Sequence, residues 1–123
     1  MEIKELIQKA HENAREKGFW KDYDDASAGV AIATMEKDEE VKDMCLNFFN
    51  NAISTRLMLI VSEISEALEA IRKSDSENFR EELADVAIRL ADLCGGLDID
   101  LEAEIIKKME KNKDRPYKHG KAF

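Results

Sequence analysis

Ile3, Leu6, Ile7, Ala10 and Ala14 recur three or four residues apart, the spacing that places apolar side chains on one face of a helix. With Gly18 as a stop, this predicts a first amphipathic helix over residues 2–17. Phe19, Trp20 and Tyr23 crowd just beyond it. Between Asp24 and Asp38 the pattern weakens and specifies no element. Val41, Met44, Cys45 and Phe48 restore a helical period over 39–49, but the stripe changes phase at Asn50-Asn51, which predicts a break or kink there. A helix from Ala52 to Ile71 follows, with Ile53, Leu57, Ile60, Ile64, Leu68 and Ile71 as its expected buried stripe. Ser74 and Glu77 fit a capping box for the next helix, whose stripe is Phe79, Leu83, Val86, Leu90 and Leu93 and whose end is Gly95-Gly96. Asp98 or Asp100 is placed to cap a last helix carrying Leu101, Ile105 and Met109 to about Asn112, and Pro116 forbids its continuation.

Composition agrees with an all-α fold, since a single proline and five glycines leave few turns in 123 residues. That length suits one domain, with 24–50 as an uncertain insertion and 113–123 as a basic tail. No run of eighteen apolar residues occurs and the N-terminus has no apolar signal core, so the expectation is a cytoplasmic protein that uses no membrane. Cys45 and Cys94 lie in apolar helical patterns without zinc-ligand spacing and are expected as reduced core residues. A net charge of −8 repels a phosphate backbone, which argues against a nucleic-acid polymer as partner.

Carboxylates interrupt the apolar pattern at regular intervals. At about 100° per residue, Glu63 and Glu66 project to one side of the Ala52 helix, and Glu82 and Asp85 project with the same rotational sense from the Phe79 helix. In an antiparallel hairpin, same-sense offsets bring both couplets to one side. Leu59, Glu63, Glu66 and Ala70 share a line, so an apolar residue stands at each end of an acidic couplet and a covering helix would strip the acids of water. Carboxylates without His or Cys suit a hard cation, Mg²⁺ or Mn²⁺. The plainer explanation is a solvated acidic face, and it is the one assigned to Glu69 and Glu81. For Arg89 it is an i,i+4 surface pair with Asp85.

"SEISEALEA" and "EELADVAIRL", with a gap of fifteen residues between Glu66 and Glu82, resemble the Glu-x-x-Glu and Glu-x-x-Asp signature of the MazG-like all-α nucleoside triphosphate pyrophosphatases. "KMEKNKDRPY" and "REKGFWKDY" are similar to segments of the dCTP pyrophosphatase branch. Ser62 stands where many members have a further Glu, which leaves the preferred nucleotide open.

The resemblance implies a helical bundle around an antiparallel two-helix hairpin, and hydrolysis of a nucleoside triphosphate to monophosphate and pyrophosphate. Four carboxylates facing a triphosphate would gather about −8 of charge, so two or more Mg²⁺ ions are expected. The implied ligands are Glu63, Glu66, Glu82 and Asp85, with Glu63 also orienting or deprotonating the attacking water. Seven Lys or Arg residues between Lys107 and Lys121 face only Glu110 and Asp114, and Lys108, Asn112, Arg115 and Tyr117 are the expected phosphate donors. By resemblance Trp20 stacks on the base, whereas on the sequence alone it is a core anchor. His11 is expected as a partly buried structural histidine. Related families complete their sites by pairing subunits, so a homodimer or homotetramer is expected. The competing function class is a non-enzymatic acidic module that binds a protein partner through the hairpin.

Overall fold

The computed structural model describes residues 1–123 and is all α-helical, a bundle built around one antiparallel hairpin. Its elements are α1 (Ile3–Glu16), α2 (Lys21–Met35), α3 (Glu39–Arg72), α4 (Ser76–Gly96) and α5 (Leu101–Lys113), followed by a 3-10 turn at Tyr117–Gly120. α3 and α4 form the hairpin, α2 packs along α3, α1 packs along α4, and α5 rests against α1.

Residues 24–38, for which the pattern specified no element, are most of α2 and the turn that follows it, and the helical period read over 39–49 is the start of α3. The break expected at Asn50-Asn51 is absent, and the helix predicted to begin at Ala52 begins at Glu39. Asp38 caps it by accepting a hydrogen bond from the Val41 amide. The stripe changes phase because the helix changes partner. Its first part meets α2, where Tyr23 packs on Phe49 and Gly29 lies so close to Cys45 that a Cβ there would sit 2.7 Å from the sulfur. Its second part meets α4.

A second correction concerns which face is buried. On α3 the inward residues are Ala52, Arg56, Glu63, Ala67 and Ala70, while Leu57, Ile64, Leu68 and Ile71 of the expected stripe are exposed. Small side chains on the inner line let α4 approach α3 closely, and the bulky stripe lies on a different face. α4 behaves likewise: Leu93 is buried, but Leu83 and Leu90 are exposed. The one large side chain fully enclosed is Trp20, packed with Ala14 and Leu93 and flanked by Tyr23, Ile60 and Leu97. By length and composition α3 is also apolar enough to cross a membrane. Its inward Arg56 and Glu63, both engaged by neighbouring helices, are instead those of a helix packed within a bundle.

The turns also differ from the pattern in one place. Asp75, not Ser74, caps α4 by accepting from the Asn78 amide, while Ser74 takes a positive φ of 57° that closes α3. Asp100 caps α5 through the Ala103 amide, and Asp98, the alternative, adopts a positive φ.

Candidate active site

α3 presents Glu63 and Glu66 one turn apart, and α4 brings Glu82 against them. One oxygen from each of the three carboxylates lies within 4.8 Å of the others. Glu63 and Glu82 are each only 9% exposed, whereas Glu66 is open to solvent. Burial, reinforced by the neighbouring Glu63 and Glu66, pushes the Glu82 carboxyl up to about 7. Its Oε2 is buried without any hydrogen-bond partner. Glu63 moves the other way, because Arg89 Nε donates to its Oε1 at 2.6 Å and holds the carboxyl below its ordinary range.

This arrangement fits a divalent cation. Three carboxylate oxygens converge, no softer ligand is among them, and a buried acceptor carries a lone pair that no protein donor satisfies. Asp85, the fourth expected ligand, is one turn further along α4 and exposed, outside the three-oxygen cluster. It lines, with Glu63, a cavity of about 590 Å³ between α1, α3 and α4, which also reaches Asn13, Phe19, Arg56 and Arg89. Arg89 therefore reaches across the hairpin to Glu63 rather than back to Asp85.

A polar and aromatic cluster supports the cavity's far wall. Trp20 Nε1 donates to Asp92 Oδ1 at 2.8 Å, and His11 Nδ1 lies 2.9 Å from the same oxygen. A carboxylate only accepts, so His11 carries its proton on Nδ1 and its Nε2 accepts from Arg15 Nε at 3.1 Å. Arg56 lies 4.0 Å over the Trp20 ring and donates to Asp22, to the Phe19 carbonyl and to the Ala52 carbonyl. The pairing lowers the Asp22 carboxyl from its ordinary value. With Arg56 over its ring and His11 and Tyr23 edge-on to it, Trp20 is the core anchor favoured by the sequence alone, and its 1% exposure leaves no free face for a base in this chain.

The model of the MazG nucleotide pyrophosphohydrolase domain matches residues 51–119, more than half of the chain. The chain belongs to that family. No curated protein and no solved structure matches it. The matched segment carries the whole carboxylate cluster together with α4, α5 and most of the 3-10 turn, and leaves α1, α2 and the first turns of α3 outside.

Within this MazG domain the expected phosphate donors are not gathered at the acids. No residue of α5 or of the segment after it lines the cavity beside Glu63, or the smaller one that Glu66 and Glu82 border on the other side near Lys73 and Asn78. Lys108 and Arg115 are exposed, Tyr117 is 88% exposed, and α5 buries no residue. Asn112 is half-buried with an unpartnered Oδ1. Sequence reasoning named neither Arg56 nor Asp92, and the plainer alternative it offered for Arg89, a surface pair with Asp85, gives way to the pair with Glu63. A signal existed for Arg56, which falls on the same helical line as Ala52 and Glu63.

Proposed function

We propose that this MazG domain hydrolyses a nucleoside triphosphate, a deoxynucleotide or a modified one, to the monophosphate and pyrophosphate, with Mg²⁺ or Mn²⁺ held by Glu63, Glu66, Glu82 and Asp85. The observation that carries this reading is the buried, unpartnered Glu82 oxygen within a carboxylate triad, inside the segment that matches the family. Bound divalent cations would neutralise the triphosphate and supply Lewis acidity. The chain's own residues do the rest. Water attacks the α-phosphorus, the bond from that phosphorus to the α,β-bridging oxygen breaks, and pyrophosphate leaves. Glu63 orients this water or takes its proton. The adjoining cavity receives the nucleoside, with the Trp20–Asp92–His11 cluster as its rigid backing.

The phosphate donors come from a second copy in this proposal. Leu57, Ile64 and Leu68 on α3, with Leu83 and Leu90 on α4, form an exposed apolar surface that a homodimer, or a tetramer of two dimers, covers. Such pairing would carry Lys108, Asn112, Arg115 and Tyr117 of one copy to the acids of the other. By its motifs the chain resembles the dCTP pyrophosphatase branch, and the setting in this proposal is cytoplasmic control of the nucleotide pool. The same apolar surface is the one observation favouring a non-enzymatic partner-binding module. Pyrophosphate release measured across natural and modified dNTPs and NTPs separates the two. An enzyme turns over at least one nucleotide with Mg²⁺ and stops with EDTA; a module does neither.

A further inference from the structure

Two cationic side chains line the cavity beside the carboxylates, Arg56 and Arg89, and their donors are used differently. Arg56 is buried and committed: its two terminal nitrogens meet Asp22 and the carbonyls of Ala52 and Phe19. Arg89 is 41% exposed and makes a single contact, Nε to Glu63 Oε1 at 2.6 Å. Its terminal nitrogens have no protein partner among the hydrogen bonds of the chain. A guanidinium offers five N–H donors in a planar fork that matches phosphate geometry, so four remain for a ligand in the cavity. Glu63 is at once its partner and a member of the carboxylate triad. Arg89 and a cation therefore compete for one oxygen.

We infer that Arg89 is a substrate-binding residue that exchanges partners: a divalent cation takes Glu63 from it, and its freed guanidinium then holds a phosphate of the nucleotide. The inference rests on the reading of the triad as a cation site. An arginine that merely braced α3 against α4 would have a different place, buried and saturated like Arg56. Arg89 instead stands at the cavity wall, one turn from Asp85 on α4, with its donors unspent. Removing it should help one ligand and harm another. The cation loses a competitor, and the polyphosphate loses a partner.

The test uses full-length wild type, Arg89→Gln and Arg89→Lys, with melting temperatures recorded for each. Calorimetric titration measures Mn²⁺ binding without nucleotide, and inorganic tripolyphosphate binding at saturating Mg²⁺. Arg89→Gln should bind Mn²⁺ about threefold to tenfold more tightly, and tripolyphosphate about tenfold more weakly, while Arg89→Lys keeps part of the tripolyphosphate affinity. Weaker Mn²⁺ binding by Arg89→Gln would mean that Arg89 supports Glu63 structurally, and would overturn the exchange. Equal tripolyphosphate binding by wild type and Arg89→Gln would overturn the phosphate contact. A wild-type protein that binds no Mn²⁺ would overturn the cation site itself, a failure separable from the other two.

Discussion

Glu82 shows how burial and function oppose each other at a single residue. Its carboxyl is raised to about 7 from 4.5, so between those values the folded metal-free protein holds a proton that the unfolded chain has released. The stabilisation from this group is fully present below about 4.5 and is lost as pH rises through about 7. Glu63, with its lowered value, contributes in the opposite sense, and its part is lost only as pH falls below 4.5. Metal-free protein melted between pH 5 and pH 8 should therefore lose stability across that window from Glu82, and Glu82→Gln should flatten the loss while raising the melting temperature at pH 8. An unchanged slope in the variant would show that Glu82 is not the titrating group. Because a cation requires the carboxylate, Mn²⁺ affinity should weaken as pH falls below about 7, with proton uptake by Glu82 as the cause. The couplet spacing made this residue legible in the sequence. Its orphaned oxygen was not, since that depends on how closely α3 and α4 approach.

Among the elements, α3 carries the largest difference between pattern and structure. The period of its apolar residues was read correctly, but a period says only that a face exists, not which partner covers it. Here the small-residue line through Ala52, Ala67 and Ala70 faces inward, and the larger stripe faces outward. The apparent break at Asn50-Asn51 had the same cause: one continuous helix hands over from α2 to α4. Amide hydrogen exchange should find no weak point at residues 50–51, and rapid exchange confined to those amides would restore the predicted kink. At this same open end of the hairpin, α4 lies so close to Trp20 that a Cβ on Gly96 would come within 1.9 Å of the indole. Gly96→Ala should cost about 1–3 kcal/mol by overpacking, and Trp20→Ala about 3–5 kcal/mol by emptying the core, both read by chemical denaturation. A neutral Gly96→Ala would mean that the indole can shift, and that the backing of the cavity is softer than its hydrogen bonds imply.

For the whole molecule, the decisive fact is how little of it is interior. Only 14 of 123 residues are buried, and most of those are alanines, which is too small a core for the apolar surface the chain carries. The helical class and the acidic hairpin could be read from the sequence because they are local properties of spacing. In the proposed assembly, contacts between chains would close the outer faces of α3 and α4 and bring basic residues to the acids, and spacing does not encode such contacts. Light scattering at micromolar concentration should report a dimer or tetramer, and Leu57→Lys with Leu68→Lys should shift it toward monomer with loss of turnover. If the tail of one copy serves the acids of another, mixing Glu63→Gln with Arg115→Ala should recover part of the activity that each lacks alone.

The central claim is that the three converging carboxylates carry cation-dependent phosphoanhydride chemistry, and pyrophosphate release by matched variants tests it most directly. Glu66→Gln removes a triad member on the exposed side of α3, while Glu69→Gln changes the next turn of the same helix, where Glu69 is exposed, pairs with Arg72 and Lys73 and lies outside the triad. With Mg²⁺ and a nucleotide that wild type hydrolyses, Glu66→Gln should lose about a hundredfold or more of turnover, and Glu69→Gln should stay within about twofold. Equal loss in both variants, or full Mg²⁺-dependent activity in Glu66→Gln, would contradict the assignment of the site.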